Sequence, residues 1–181
     1  MKSGLPVRSG ARSDDMGIYG STPNLSPLKK PDLVFTWGNP SRGDDALGPT
    51  IYELLLQEDL ETVELLTDFQ LQIEHAIDLE ERDRILFVDA SITASAPFEL
   101  ARLQPEEDAS YTTHAMSPQA LLAVYRHINK CPPPPAWLLS IRGYEFGLGL
   151  PLTAAADSNS QAAFQYIKQL FAVSGTTIWA E

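Results

Sequence analysis

The order of apolar runs and turn signals in this chain predicts an α/β fold. It should have three layers: a twisted, mostly parallel five-stranded sheet with helices on both faces and one antiparallel strand. Three observations predict it. From residue 33 onward, strand-like runs alternate with segments of helical periodicity, the signature of βαβ units. Two of those runs, Leu33–Trp37 and Arg84–Val88, are short and dominated by apolar residues, as buried strands are. Only about seven residues separate the third and fourth runs, whereas a parallel crossover needs a dozen or more, so that pair is expected to be antiparallel.

The first strand, Leu33–Trp37, ends at Gly38, and Gly38-Asn39-Pro40-Ser41-Arg42-Gly43 is turn chemistry. A helix should follow from Asp44 or Asp45 to Gln57. Leu47, Ile51, Leu54 and Leu55 lie on one face, an Asp serves as N-cap, and Pro49 sits in the first turn, where a missing N–H costs little. Val63–Phe69 reads as the second strand, and Leu71–Glu81 as a helix with an acidic face. Arg84–Val88, ending at Asp89, is the third strand and the clearest in the chain, and Phe98–Leu103 is the fourth. Ser117–Asn129 is a helix with Ser117 as N-cap and Pro118 at its first position, stopped by Cys131 and four prolines. Trp137–Ile141 is the fifth strand and Asp157–Phe171 the last helix.

Length and composition bound the rest. The 181 residues favour one domain, and 44% apolar content suits a globular core. Residues 1–31 are rich in Ser, Gly, Pro and Arg without periodicity, and read as a flexible N-terminal extension to a single domain over 32–181. The extension carries five Lys/Arg against two Asp, so the overall charge of −11 leaves −14 on the domain. Such a body repels nucleic-acid phosphates and anionic membranes, and favours a cation or a basic peptide. No apolar run approaches the roughly 20 residues of a bilayer span, and the opening residues lack the apolar core of a secretory signal. A lone cysteine, Cys131, forms no internal disulfide, so a reducing cytoplasm is the expected setting.

Sheets of this type bind ligands beyond the carboxyl ends of their strands, where the strand order reverses. That rule selects two acidic strand-end positions, Asp44/Asp45 and Asp89. A third polar group, His114, lies in the loop before the Ser117 helix. Two carboxylates and an imidazole suit a divalent metal such as nickel or zinc, with positions left for water or substrate. Taken singly, each residue has an ordinary explanation: helix cap, turn former, exposed loop histidine. His75 and His127 fall on predicted helices and read as structural or exposed. Cys131 has no partner pattern for a nucleophile, and neither a Gly-x-Ser-x-Gly elbow nor a Gly-Lys-Ser/Thr phosphate loop is present.

Four segments change the weight of that set. The stretch Gly38-Asn39-Pro40-Ser41-Arg42-Gly43-Asp44-Asp45-Ala46-Leu47-Gly48 resembles the opening motif of the hydrogenase maturation proteases. Phe87-Val88-Asp89-Ala90 resembles their second motif, and Thr113-His114-Ala115-Met116-Ser117-Pro118 their third. Ile141-Arg142-Gly143-Tyr144-Glu145-Phe146 is similar to a late segment of the group serving soluble, NAD-linked hydrogenases, as is Asp68–His75, which is expected to line the crevice and help choose the substrate. The motifs fall in the family's order across residues 33–170.

The resemblance implies an endopeptidase, working through aspartates, that removes the C-terminal extension of a [NiFe] hydrogenase large subunit after nickel insertion. It implies Asp45, Asp89 and His114 as both catalytic and metal-contacting residues. No cofactor is then bound permanently, because the nickel arrives with the substrate. The expected partner is the nickel-loaded precursor, and a monomer is the expected state. Asp44 stays open between general base and helix cap. Ala46 stands where the family often has Gly, which implies only a negative φ. Two other readings use the same crevice: a flavodoxin-like nucleotide-binding module, disfavoured by the acidic pair, and a metallohydrolase that keeps its own zinc.

Overall fold

The computed structural model describes residues 30–107, 116–172 and 179. Five strands form one sheet: β1 (Asp32–Trp37), β2 (Val63–Asp68), β3 (Arg84–Ser91), β4 (Phe98–Arg102) and β5 (Ala136–Arg142). Their spatial order is β2-β1-β3-β5-β4, with β4 alone antiparallel. The helices are α1 (Leu47–Leu55), α2 (Pro118–Asn129) and α3 (Ala154–Ala172), with 3₁₀ turns at Gly43–Ala46 and Ile73–Ile77.

Strand periodicity sorts the core into two layers. Val34, Leu86, Val88, Leu139 and Ile141 point to the face covered by α1 and α3. Leu33, Phe35, Ile85 and Phe87 point to the face covered by α2 and the second 3₁₀ turn. Ile85, Leu86, Phe87 and Val88 are all fully buried, as a central parallel strand between two helical layers requires. Burying each such side chain contributes about 1.5–3 kcal/mol.

The end of the sheet away from the strand carboxyl termini is pinned by charge and aromatic packing. Arg84 grips Asp32 with two bonds of 2.8 and 2.7 Å, and its guanidinium stacks 5.1 Å from the Trp179 ring centroid. Lys30 donates to the carbonyls of Leu60 and Val63, so the chain is already tied to the body at the first described residue.

Four local expectations need correction. The predicted helix from Asp44 to Gln57 is split into a 3₁₀ turn and a shorter α1, because residues 43–46 bond to the segment after β5 instead of continuing the helix. No side chain caps either piece, so the Asp N-cap is not realised. The predicted Leu71–Glu81 helix is one 3₁₀ turn: Ile73 and Ile77, which mimic an apolar stripe, are exposed, while Leu71, Ala76 and Leu79 are buried. The strand β4 is antiparallel as expected, but its partner is β5, which inserts between β3 and β4. The link over residues 92–97 crosses two inter-strand spacings of about 4.8 Å each, well within its reach. Finally, α3 starts at Ala154 instead of Asp157.

α2 follows its sequence signals. Ser117 Oγ accepts from Ala120 N at 3.1 Å, Pro118 opens the helix, and Lys130 ends it at φ 56°.

Candidate active site

The strand order places the reversal between β1 and β3: the β1 connection runs to β2 on one side, and β3 lies on the other. The ladder shows where the crevice opens. Pairing of β3 with β1 stops at Thr36↔Val88, whereas pairing with β5 continues through Asp89↔Ser140 to Ser91↔Arg142. Asp89 is therefore the first β3 residue beyond the β1 ladder, inside a strand that runs two residues past the expected end.

Asp89 stands at the end of an aromatic pillar. Phe35 and Phe87 stack with centroids 6.3 Å apart, and Trp37 meets Phe87 edge-on at 6.0 Å. That apolar footing strips water from the carboxyl group. Burial, reinforced by the negative charge of Asp45, raises its pKa from 3.8 to about 7, against the opposing bonds from Ala90 N–H and the Trp37 side chain. Ala90 N donates to Asp89 Oδ1 at 2.8 Å.

Asp45 reaches the same crevice from the loop after β1. Its Oδ2 accepts from Asn39 N at 3.0 Å, which folds the loop back on itself. Gly38, at φ 143°, permits this, since a Cβ there would collide with the Asp45 carbonyl oxygen. Ala46 has φ −70°, so an L-residue fits where a glycine is not needed.

Asp44 is fully buried and points away from its neighbour's task. Its Oδ2 accepts from Tyr144 N (2.7 Å), Glu145 N (3.1 Å) and Thr153 Oγ1 (2.9 Å), and its Oδ1 from Thr153 N (2.7 Å). Burial alone would raise its pKa, but these four bonds outweigh burial and hold it below the ordinary 3.8. Asp44 is thus neither a cap of its own helix nor an exposed base. It fastens the first-motif loop to the segment between β5 and α3. Thr153 in turn caps α3, accepting from Ala156 N at 3.2 Å through Oγ1. A threonine directly before three alanines was the available signal for this earlier helix start.

The sequence-selected residues Asp45 and Asp89 do come together, close enough for their charges to couple. His114 falls within residues 108–115, outside the described residues. Among the described residues no group of three or more His, Cys, Asp or Glu is arranged to hold a metal ion. What they provide is a pair of neighbouring carboxylates, one of them, Asp89, with its pKa pushed up to about 7 by burial. Such a pair gains from a cation, which relieves both desolvation and mutual repulsion. His75 is structural: its Nδ1 accepts from Gln72 N at 3.0 Å, its Nε2 faces Asp68 at 3.3 Å, and its ring packs on Phe35. His127 is exposed.

One prediction concerns stability. The folded pKa of Asp89 lies above its unfolded value, so the folded state binds the extra proton between about pH 4 and 7 and loses stability as pH rises through that window. Asp89→Asn removes the penalty while keeping the side-chain size. The variant should exceed the wild type in stability by about 2–4 kcal/mol at pH 8, with a clearly smaller gain at pH 5. Thermal melts at the two pH values check this, and a gain that shrinks toward pH 8 would contradict it.

No family model and no curated protein matches the sequence. Solved structures do match. The hydrogenase maturating endopeptidase HybD from E. coli superposes with a TM-score of 0.63 at 24% identity, covering 80% of this chain and 93% of that one. The [NiFe] hydrogenase maturation protease HycI from Thermococcus kodakarensis gives a TM-score of 0.62 at 17% identity, covering 81% and 96%. A hydrogenase 2 maturation peptidase from a Thaumarchaeota archaeon gives 0.57 at 23% identity, covering 78% and 97%. The chain shares the fold of these proteins over nearly their whole length.

Proposed function

We propose that this chain is a hydrogenase maturation endopeptidase, which removes the C-terminal extension of a [NiFe] hydrogenase large subunit once nickel has been inserted. The observation that carries the reading is the carboxylate pair itself. Asp45 and Asp89 meet at the switch point of a fold shared with solved maturation proteases, in the sequence motifs that resemble theirs.

In this reading the metal belongs to the substrate. The precursor presents nickel, and Asp45 and Asp89, joined by His114, complete its coordination. Bringing the metal to the carboxylates places the adjacent scissile peptide in the crevice, which supplies orientation. The nickel, as part of the substrate, polarises the peptide carbonyl or a water. Asp89 sheds its proton when the cation arrives, and a carboxyl group poised near pH 7 is suited to that exchange. Asp45 stays anchored through Asn39 N–H and holds its geometry. The site works without a resident cofactor, as a monomer, in the cytoplasm. Among the described residues no helix is long and apolar enough to cross a membrane.

The test is a processing assay with the nickel-loaded and nickel-free precursor, following the tail by mass. Only the nickel-loaded form should be cut. Equal cleavage of both would remove nickel as the recognition element, and cleavage of neither would remove the protease.

A further inference from the structure

The crevice is acidic, and the loops around it carry exposed apolar side chains beside their charged ones. Nine large apolar side chains are exposed among the described residues, and six of them, Phe69, Ile73, Ile92, Tyr144, Leu148 and Leu150, follow the carboxyl ends of β2, β3 and β5. They therefore share the end of the sheet that holds Asp45 and Asp89. Three stand out: Leu148 is 74% exposed, Phe69 65% and Ile92 63%. Scattered single exposures are ordinary, whereas a concentration at one end marks an interaction surface.

The loops that carry them are knitted into one body. Gly38 N donates to Asp68 O at 3.2 Å, joining the loop after β1 to the end of β2. Gly149 N donates to Ser41 O at 2.7 Å and Gly43 N to Leu150 O at 3.0 Å, joining that loop to the segment after β5. The Arg142 guanidinium donates to the carbonyls of Ile92 and Ala94, and Gly143 N to Ser91 O at 2.9 Å, joining the segment after β5 to the loop after β3. A surface held this way needs little ordering when a partner arrives, which lowers the entropic cost of docking.

We propose that this apolar rim is the docking surface for the folded body of the protein substrate, so that specificity comes from a globular face and not only from the groups at the cut. The inference rests on the proposed function and names its recognition surface. Continuity with the catalytic crevice argues for this occupant, since a folded partner seated on the rim presents its own site to the two carboxylates. Charge argues against a second copy of this chain: two chains of net charge −11 repel each other.

The test uses the full chain and purified nickel-loaded precursor, with binding and tail release measured on the same samples. The triple variant Phe69→Ser, Ile92→Ser, Leu148→Ser should bind about tenfold or more weakly, with KM raised and kcat retained. The control Leu56→Ser, Ile128→Ser, which removes exposed apolar groups from the ends of α1 and α2, should bind normally. An unchanged melting temperature establishes that both variants are folded. Wild-type affinity in the triple variant, or equal weakening in the control, overturns the proposal. Loss of self-association in the triple variant with precursor binding intact overturns it in favour of a second copy. Precursor binding by the wild type without cleavage overturns the protease reading, while the affinity comparison still decides the surface.

Discussion

Asp89→Ala should reduce the single-turnover rate of tail release from a nickel-loaded precursor by about 10³-fold. The side chain is the first on β3 beyond the β1 ladder, and its carboxyl group meets Asp45 across the crevice. Removing it halves the acidic pair and leaves the apolar footing of Trp37 and Phe87 without its polar tip. Asp89→Asn should lose nearly as much, because an amide keeps the bulk but not the charge. Activity and stability then move in opposite directions for the same substitution, a pattern that a purely structural role does not produce. The wild-type pH profile adds a second readout. The deprotonated form is the competent one, so kcat/KM should rise with pH and level off above about 7. Asp45→Asn removes the neighbouring charge that helps raise Asp89, so any residual activity should have its rise displaced to lower pH. Wild-type processing by Asp89→Ala would end the assignment.

Asp44→Ala should destabilise the fold by about 3–5 kcal/mol, enough to unfold much of the protein at 37 °C. Three backbone N–H groups and one hydroxyl converge on this buried carboxylate, and alanine leaves all four donors without their acceptor. Asp44→Asn should rescue little, since its NH₂ would have to face a donor. The sign with pH follows from the lowered folded pKa: the stabilisation is complete above the ordinary 3.8 and is lost as pH falls through the folded value. The gap between wild type and Asp44→Ala in denaturant melts should therefore be constant from pH 5 to 8 and close in strong acid. A variant as stable as the wild type at pH 7 would show that the four bonds contribute little.

The two adjacent aspartates show what was legible in the sequence and what was not. Strand-end reasoning placed both at the mouth of the crevice with Asp89, and only the resemblance to the family's opening motif singled out Asp45. Nothing local separates Asp44 from Asp45, because the donors that claim Asp44 lie 100 to 109 residues away. An Asp before a periodic segment reads as a cap by short-range rules, and a long-range acceptor looks the same on the page. The strands were legible for the opposite reason. Their buried runs are local, and Ile85–Val88 is apolar at every position. Strand neighbours were not: the short link after β3 implied a hairpin, and only the later arrival of β5 between the two strands shows why none forms. The second 3₁₀ turn was misread because two exposed isoleucines carry the helical spacing.

The reach of the Asp44 bonds bears on the order of events during folding. Contacts between positions this far apart close a long loop, and such contacts form late. Until β5 and the start of α3 are in place, the first-motif loop has nothing to fasten to, and Asp45 is not held opposite Asp89. A nascent or half-folded chain therefore lacks the acidic pair as a working unit. The two carboxylates are brought together only when the last third of the sequence has joined the sheet.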